Sequence, residues 1–474
     1  MSDAASHGTG PESTVTCRWC GAENQILGES CQRCDRFTVR RPRWADIIPS
    51  NQKWLTKRRV LRIAIALILL VALVWFNYPF VPNPMILLFK KPTTNLASST
   101  LPGQWSTAGR DQQSSRYLPQ VPDEPRGQVA WSRFLGINTQ STPTVADGVV
   151  YLGAHFKVLA LDAETGTVIW EQATKGPVHS SPAVAGDTLF LGFMDHRMLA
   201  LEQNTGTVRW QFETGGAITG SANVTNGIVY FGSWDNFIYA LDAATGELIW
   251  KTRTVGEIRS AVAVHEGALF ASDNEGNLYI LNARTGQKRM RFRTGKPNAA
   301  SPAVGNGLAY FPSGGKVYGI DAGVREIPGE LQFKRVWAQF WLWQVPGIPK
   351  PSGQRGARWR FSPKDTKASI ISSPAVTAEA WYAGDTQGLF YARDAIDGTE
   401  LWSFQADVTI LGSPVVLGNR VYFGDMGGEF YSLDRNTGQV IWQVSLGVPI
   451  AVSPVFAQGR FFVRTTDGRL HAIE

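Results

Sequence analysis

The sequence predicts an all-β protein, an eight-bladed β-propeller of four-stranded antiparallel blades, with a small cysteine-bearing element and one long apolar helix ahead of it. Three observations carry this. A ten-residue phrase returns about every forty residues, all four cysteines fall between Cys17 and Cys34, and no charged residue occurs from Ile63 to Phe89.

The phrase reads LDAETGTVIW at 161–170, LEQNTGTVRW at 201–210, LDAATGELIW at 241–250, LNARTGQKRM at 281–290, RDAIDGTELW at 393–402 and LDRNTGQVIW at 433–442. A fixed period of this length marks a repeat architecture. Within one unit, IVYFG and FIYAL are β-branched and aromatic runs too short for helices. Asn226-Gly227, Asp235-Asn236 and the run from Asp242 to Gly246 supply the turns between them. An innermost strand around SANV and a last one at ELIW bring the unit to four strands, the content of a propeller blade. One blade cannot bury both of its faces, so Trp131, Trp170, Trp210, Trp250, Trp402 and Trp442 are expected to pack between neighbours.

Eight inner-strand markers set the blade number: Thr142-Pro143, Ser181-Pro182, Ser221-Ala222, Ser260-Ala261, Ser301-Pro302, Ser373-Pro374, Ser413-Pro414 and Ser453-Pro454. The last unit stops at LHAIE, without its outer strand. GQVAWSRF at 127–134 places Trp131 one period before Trp170, so this early strand is expected to complete the last blade and close the ring.

The LDAxTGxxxW phrase with SPxV before it resembles the pyrroloquinoline quinone (PQQ) propeller repeat of quinoprotein dehydrogenases and of the lipoprotein that assists outer-membrane β-barrel assembly. The resemblance covers roughly 103–474 and includes QWSTAGRDQQSSRY at 104–117, similar to the segment that leads into those propellers. It implies the fold more strongly than any function.

Ahead of the propeller, Cys17 and Cys20 form one C-x-x-C pair and Cys31 and Cys34 another. Two such pairs can converge on one tetrahedral thiolate site, so zinc is expected there, with a disulfide set or a redox pair as alternatives. VLRIAIALILLVALVWFNYPF offers about 20 residues of apolar helix, enough for one membrane span. A cleavable signal peptide fits less well, because some sixty residues precede the stretch. Residues 1–62 hold 11 Lys and Arg against 6 Asp and Glu, most of them directly before the span, which places the N-terminus in the cytoplasm and the propeller outside. That head accounts for +5 of the net +7, so the propeller itself is not expected to bind nucleic acid. The organisation is a zinc ribbon at 14–38, a basic linker at 39–59, a transmembrane helix at 60–80, a lead-in at 81–125 and the propeller at 126–474.

The resemblance implies, for a quinone dehydrogenase, a Ca²⁺-bound quinone on the ring axis beneath a disulfide between adjacent cysteines. The propeller has no cysteine, and Glu257 and Asp407 are isolated acids in the axial loops. On that ground no PQQ and no catalysis are expected. Asp195, Asp235, Asp385, Asp425 and Asp467 recur once per blade and read as turn-closing side chains.

Between KVYGIDA and ARWRF the fifth blade inserts about 30 residues, spanning 323–358. Phe333, Val336, Trp337, Phe340 and Trp341 recur at helical spacing, with Trp343 beside them. This amphipathic helix is expected to pack on its own blade, to meet a partner, or to lie in a membrane interface; Phe333, Trp337, Phe340, Trp341 and Trp343 are the candidate partner-binding residues. The expected function is a membrane-anchored, non-catalytic extracytoplasmic scaffold or sensor that binds a protein or ligand. A PQQ-dependent dehydrogenase and an envelope assembly factor are the alternatives.

Overall fold

The computed structural model describes residues 14–16, 20–21, 23–25, 57–77 and 83–474, apart from 102, 122–123, 137–140, 298–299 and 328. Residues 1–74 and 75–474 form separate units. In the first, Thr14–Thr16 pairs with Glu23–Gln25 as an antiparallel ribbon. Cys20 is exposed; Cys17, Cys31 and Cys34 lie outside the described residues. Helix α1 runs Lys57–Asn77, over most of the expected 60–80 segment. Among the described residues, no helix is long and apolar enough to cross a membrane.

The third blade shows how the repeat folds. Its strands are Asn223–Thr225, Ile228–Ser233, Phe237–Asp242 and Leu248–Arg253, antiparallel in that order, with Tyr230, Ala240 and Trp250 in register. Asn226 and Gly227 both have positive φ, the backbone of a two-residue hairpin turn that follows the twist of the strands. At the last turn, Asp242 Oδ1 accepts the Ala244 and Thr245 amide protons and Gly246 N–H returns to the Asp242 carbonyl. Eight such sheets form, and the eighth takes its outer strand from Val129–Phe134, paired to Arg469–Ile473 with Trp131 opposite Ala472. The ring therefore closes as expected, through hydrogen bonds between the two ends of the domain.

The repeated phrase locks one blade to the next. The Trp210 indole N–H donates to the Ala243 carbonyl of the following blade at 3.0 Å, and Trp170 and Trp250 reach Gln203 and Ala283 in the same way. The following blade lays its turn glycine on the indole face: a Cβ on Gly246 would come within 2.7 Å of the Trp210 ring. Trp131, Trp402 and Trp442 do the same. The fifth blade uses Trp359, from Ala357–Phe361, stacked on Trp381 with centroids 5.7 Å apart. Met290 occupies this position in the fourth blade.

The lead-in segment crosses the ring. Trp105 pairs with Val145 of the first blade; the carbonyls of Ser106, Gln112, Gln113, Ser115 and Arg116 then accept amide protons from Val184, Val264, Val304, Val376 and Val416, and Gln112 O also takes Asn223 Nδ2. Tyr117–Leu118 ends the run as a parallel strand beside Val416 and Leu417. This strap satisfies the inner edges of seven blades. Its tight path needs positive φ at Arg110, Ser114 and Arg116. Burial lowers the Arg116 pKa to about 10.

Two helices decorate the rim. Helix α2, Pro84–Phe89, is fastened to the fourth blade's last turn: Asn83 N–H donates to Gln287 Oε1, and Arg284 donates to the Lys90 carbonyl. Helix α3, Glu330–Leu342, forms within the fifth-blade insertion, where the amphipathic pattern predicts it.

Candidate functional site

The inner strands of successive blades line the axis. A relay of hydrogen bonds runs along their starts: the amide of Thr142 donates to Ser181 Oγ, Ser181 to Ser221, Ala261 to Ser301, Ser301 to Ser373, Ser373 to Ser413 and Ser413 to Ser453, each near 3.0 Å. The serines that mark each blade in the sequence thus join it to its neighbour. At Ala261 there is no hydroxyl, and the relay from Ser221 is broken.

Two residues before the relay positions stand His179, Thr219 and Arg259 from the second to fourth blades, and Ile371, Leu411 and Ala451 from the sixth to eighth; those of the first and fifth blades lie outside the described residues. The first three are polar and the last three apolar. Arg259 is exposed, with its guanidinium carbon 4.6 Å from the Trp234 ring centroid. Trp234 is fixed by its indole N–H, which donates to Thr219 Oγ1 at 2.9 Å. Glu257 holds Arg259 at 2.7 Å and is itself placed by paired backbone and side-chain bonds to Asn274. Arg259 and Asn274 border a depression of about 500 Å³ whose other walls include Ser313, Gly314, Ile370 and Ile371. Burial, and then His155, hold the His179 imidazole below its usual pKa, so it is neutral at pH 7. A cation over an indole beside an apolar wall suits a flat anionic ligand.

Nothing in the sequence places Trp234 against Arg259, since the two come from loops of different blades. The recurring aspartates are occupied elsewhere. Asp385 accepts the Gln387 and Leu389 amides and the Tyr391 hydroxyl, and Asp425 accepts Gly427, Glu429 and Tyr431. They close turns.

On α3, Phe333, Val336, Phe340 and Trp343 are exposed along one side. Trp337 is half-buried and donates to the Pro349 carbonyl of its own insertion, while Trp341, beside Lys350, is exposed. Glu330 on the inner side bridges Lys334 and Arg355.

A stretch of 121 residues is 32% identical to quinohemoprotein alcohol dehydrogenase ADH-IIG of Pseudomonas putida, covering 22% of this chain and 17% of that protein. A stretch of 98 residues is 34% identical to the dehydrogenase subunit of a quinone alcohol dehydrogenase of Gluconobacter oxydans, covering 19% and 13%. The chain thus spans less than a fifth of the length of these relatives. Among solved structures, quinohemoprotein alcohol dehydrogenase from Comamonas testosteroni superposes with a TM-score of 0.62 at 15% identity, over 85% of this chain and 83% of that one. BamB from Moraxella catarrhalis superposes with a TM-score of 0.56 at 17% identity, over 73% and 96%.

These findings correct two expectations. The expectation of no enzyme and no PQQ is overturned by relatives that are quinone-dependent alcohol dehydrogenases. Its weakness was physical: a missing cysteine pair removes one disulfide and nothing else of the propeller fold that the chain shares with these proteins. The expectation of zinc as the cofactor gives way to the quinone that the relatives' names point to; no cluster of three or more His, Cys, Asp or Glu that could hold a metal ion occurs among the described residues, and Cys17, Cys31 and Cys34 lie outside them. Arg259, paired with Glu257 and lying over the Trp234 ring, borders the depression together with Ile371, a cationic and an apolar wall suited to a flat anionic group. The matching family profile covers 120–232, 200–325 and 348–474, most of the propeller, and on that extent the chain belongs to the family described as outer membrane protein assembly factor BamB.

Proposed function

We propose that this chain is a membrane-tethered propeller whose axial mouth holds a quinone cofactor for oxidation of an alcohol. The observation that carries the reading is Arg259 held over Trp234 by Glu257 at the edge of the depression. The relatives named for quinone-dependent alcohol oxidation support it. Arg259 would bind a carboxylate of the cofactor, and Trp234 and Glu257 would keep the guanidinium in place. Neutral His179 is one of the three polar residues, able to accept a proton from an alcohol. When bound, the quinone would supply a two-electron, two-proton oxidation of the alcohol to a carbonyl compound.

The test is titration of the full chain in detergent with PQQ and Ca²⁺, following tryptophan fluorescence and then reduction of an artificial electron acceptor by alcohols. Saturable quenching is expected, weakened about tenfold by Arg259→Met. Absence of saturable binding would end this reading.

Family membership supports a second reading, an envelope assembly factor. Cross-linking in native membranes, with assembly machinery attached to the propeller, would favour it. Both readings use the apolar run from Ile63 as a span with the basic head inside and the propeller outside. Protease added to spheroplasts should then remove the propeller and spare the head; the reverse pattern refutes the orientation.

A further inference from the structure

We infer that the rim of the propeller carrying α2 and α3 rests on an anionic lipid surface. The inference builds on the proposed membrane tether and specifies which part of the ring meets the bilayer.

Both helices are attached to the fourth blade within a few residues of each other. Helix α2 is held by the turn through Arg284 and Gln287; the stem of α3 is held just beyond, by Glu326 N–H to the Arg289 carbonyl and by Glu326 to Lys288 at 3.4 Å. Each then turns apolar side chains to the outside. On α2, Met85, Leu88 and Phe89 are exposed, Phe89 by 71%. On α3 and its C-terminal end the exposed set is Phe333, Val336, Phe340, Trp341, Leu342 and Trp343, with Trp343 at 65%. These large side chains would not be left in water without cause.

The chain itself names the occupant. The uncharged run that begins at Ile63 does not stop with α1 but continues to Phe89, through α2. The proposed span begins this run and α2 ends it, so α2 is the part of the propeller unit nearest the span in sequence. The charges flanking the two helices agree: Lys90, Lys91, Arg325, Arg335 and Lys350 are exposed, whereas Glu326 and Glu330 are engaged by Lys288, Lys334 and Arg355. Apolar and aromatic side chains ringed by Lys and Arg mark a helix lying in an anionic membrane interface.

The full chain, reconstituted in nanodiscs of phosphatidylcholine with and without phosphatidylglycerol, would carry a photoactivatable acyl chain as probe, and labelled peptides would be mapped by mass spectrometry. Label is expected on α1, on α2 and on 333–343, with the last two several-fold stronger when the anionic lipid is present. Leu88→Ser with Phe340→Ser and Trp343→Ser, all exposed and therefore compatible with folding, should cut the α2 and α3 label about fivefold and leave the α1 label unchanged. Label on α1 alone would overturn the docking and keep the tether. No label anywhere would overturn the tether itself. Protection of 333–343 from hydrogen exchange without lipid label, in particles that scatter light as dimers, would assign this rim to a second copy and overturn the proposal.

Discussion

A single glycine and a single alanine show how closely the blades are fitted. Gly246 has φ 73°, and a Cβ there would lie 2.7 Å from the Trp210 ring, so neither backbone nor indole has room to adjust. Gly246→Ala is expected to cost about 2 kcal/mol and to lower the thermal midpoint measurably. An unchanged midpoint would mean that the indole is not clamped. Ala261→Ser should act in the opposite sense, because its hydroxyl would receive the Ser221 amide and complete that link of the relay; a gain of about 1 kcal/mol in denaturant unfolding is the expected result. The sequence shows the tryptophans and the serine markers but not the bonds that use them. Trp359 escapes notice because the insertion breaks the forty-residue period just before it. Arg259 and Trp234 escape because a pair formed by two different loops leaves no spacing to read.

Elements were legible to the extent that they obey a period. The β-branched runs, the turn residues and the helical spacing of α3 each locate their element, and the complementarity of 127–134 with LHAIE anticipates the pairing of Val129–Phe134 with Arg469–Ile473. Deleting 126–134 should leave that last strand with an open edge, seen as aggregation in light scattering and as earlier melting. A chain that stays monodisperse and melts unchanged would contradict this account of closure. The division of α3 into sides was less legible. Spacing alone puts Trp337 and Trp341 with Phe333 and Phe340, whereas the indole N–H of Trp337 finds a carbonyl at Pro349 and turns that side chain toward its own insertion. Trp343, one residue past the helix, joins the exposed side instead.

At the scale of the whole molecule, stability should depend on pH through two histidines. Burial lowers the pKa of both His179 and His471, so the unfolded chain takes up protons that the folded one refuses as pH falls below about 6.5. Their contribution is therefore complete above that pH and is lost progressively as it falls toward the lowered folded values. A thermal midpoint that drops from pH 7 to pH 5, with part of the slope removed in His471→Gln, is the expected outcome; an identical slope in the variant would exclude His471 as a source. Ring closure also has a consequence in time. The strand Val129–Phe134 leaves the ribosome before any of the eight inner strands, yet its partner, Arg469–Ile473, is made only after all of them. At ordinary rates of synthesis it waits on the order of tens of seconds with Val129, Trp131 and Phe134 unpaired. Every nascent chain passes through a stage in which nearly complete blades stand in an open arc, so a chaperone that shields one strand edge during translation would raise the yield of this protein more than any added stability in the finished ring.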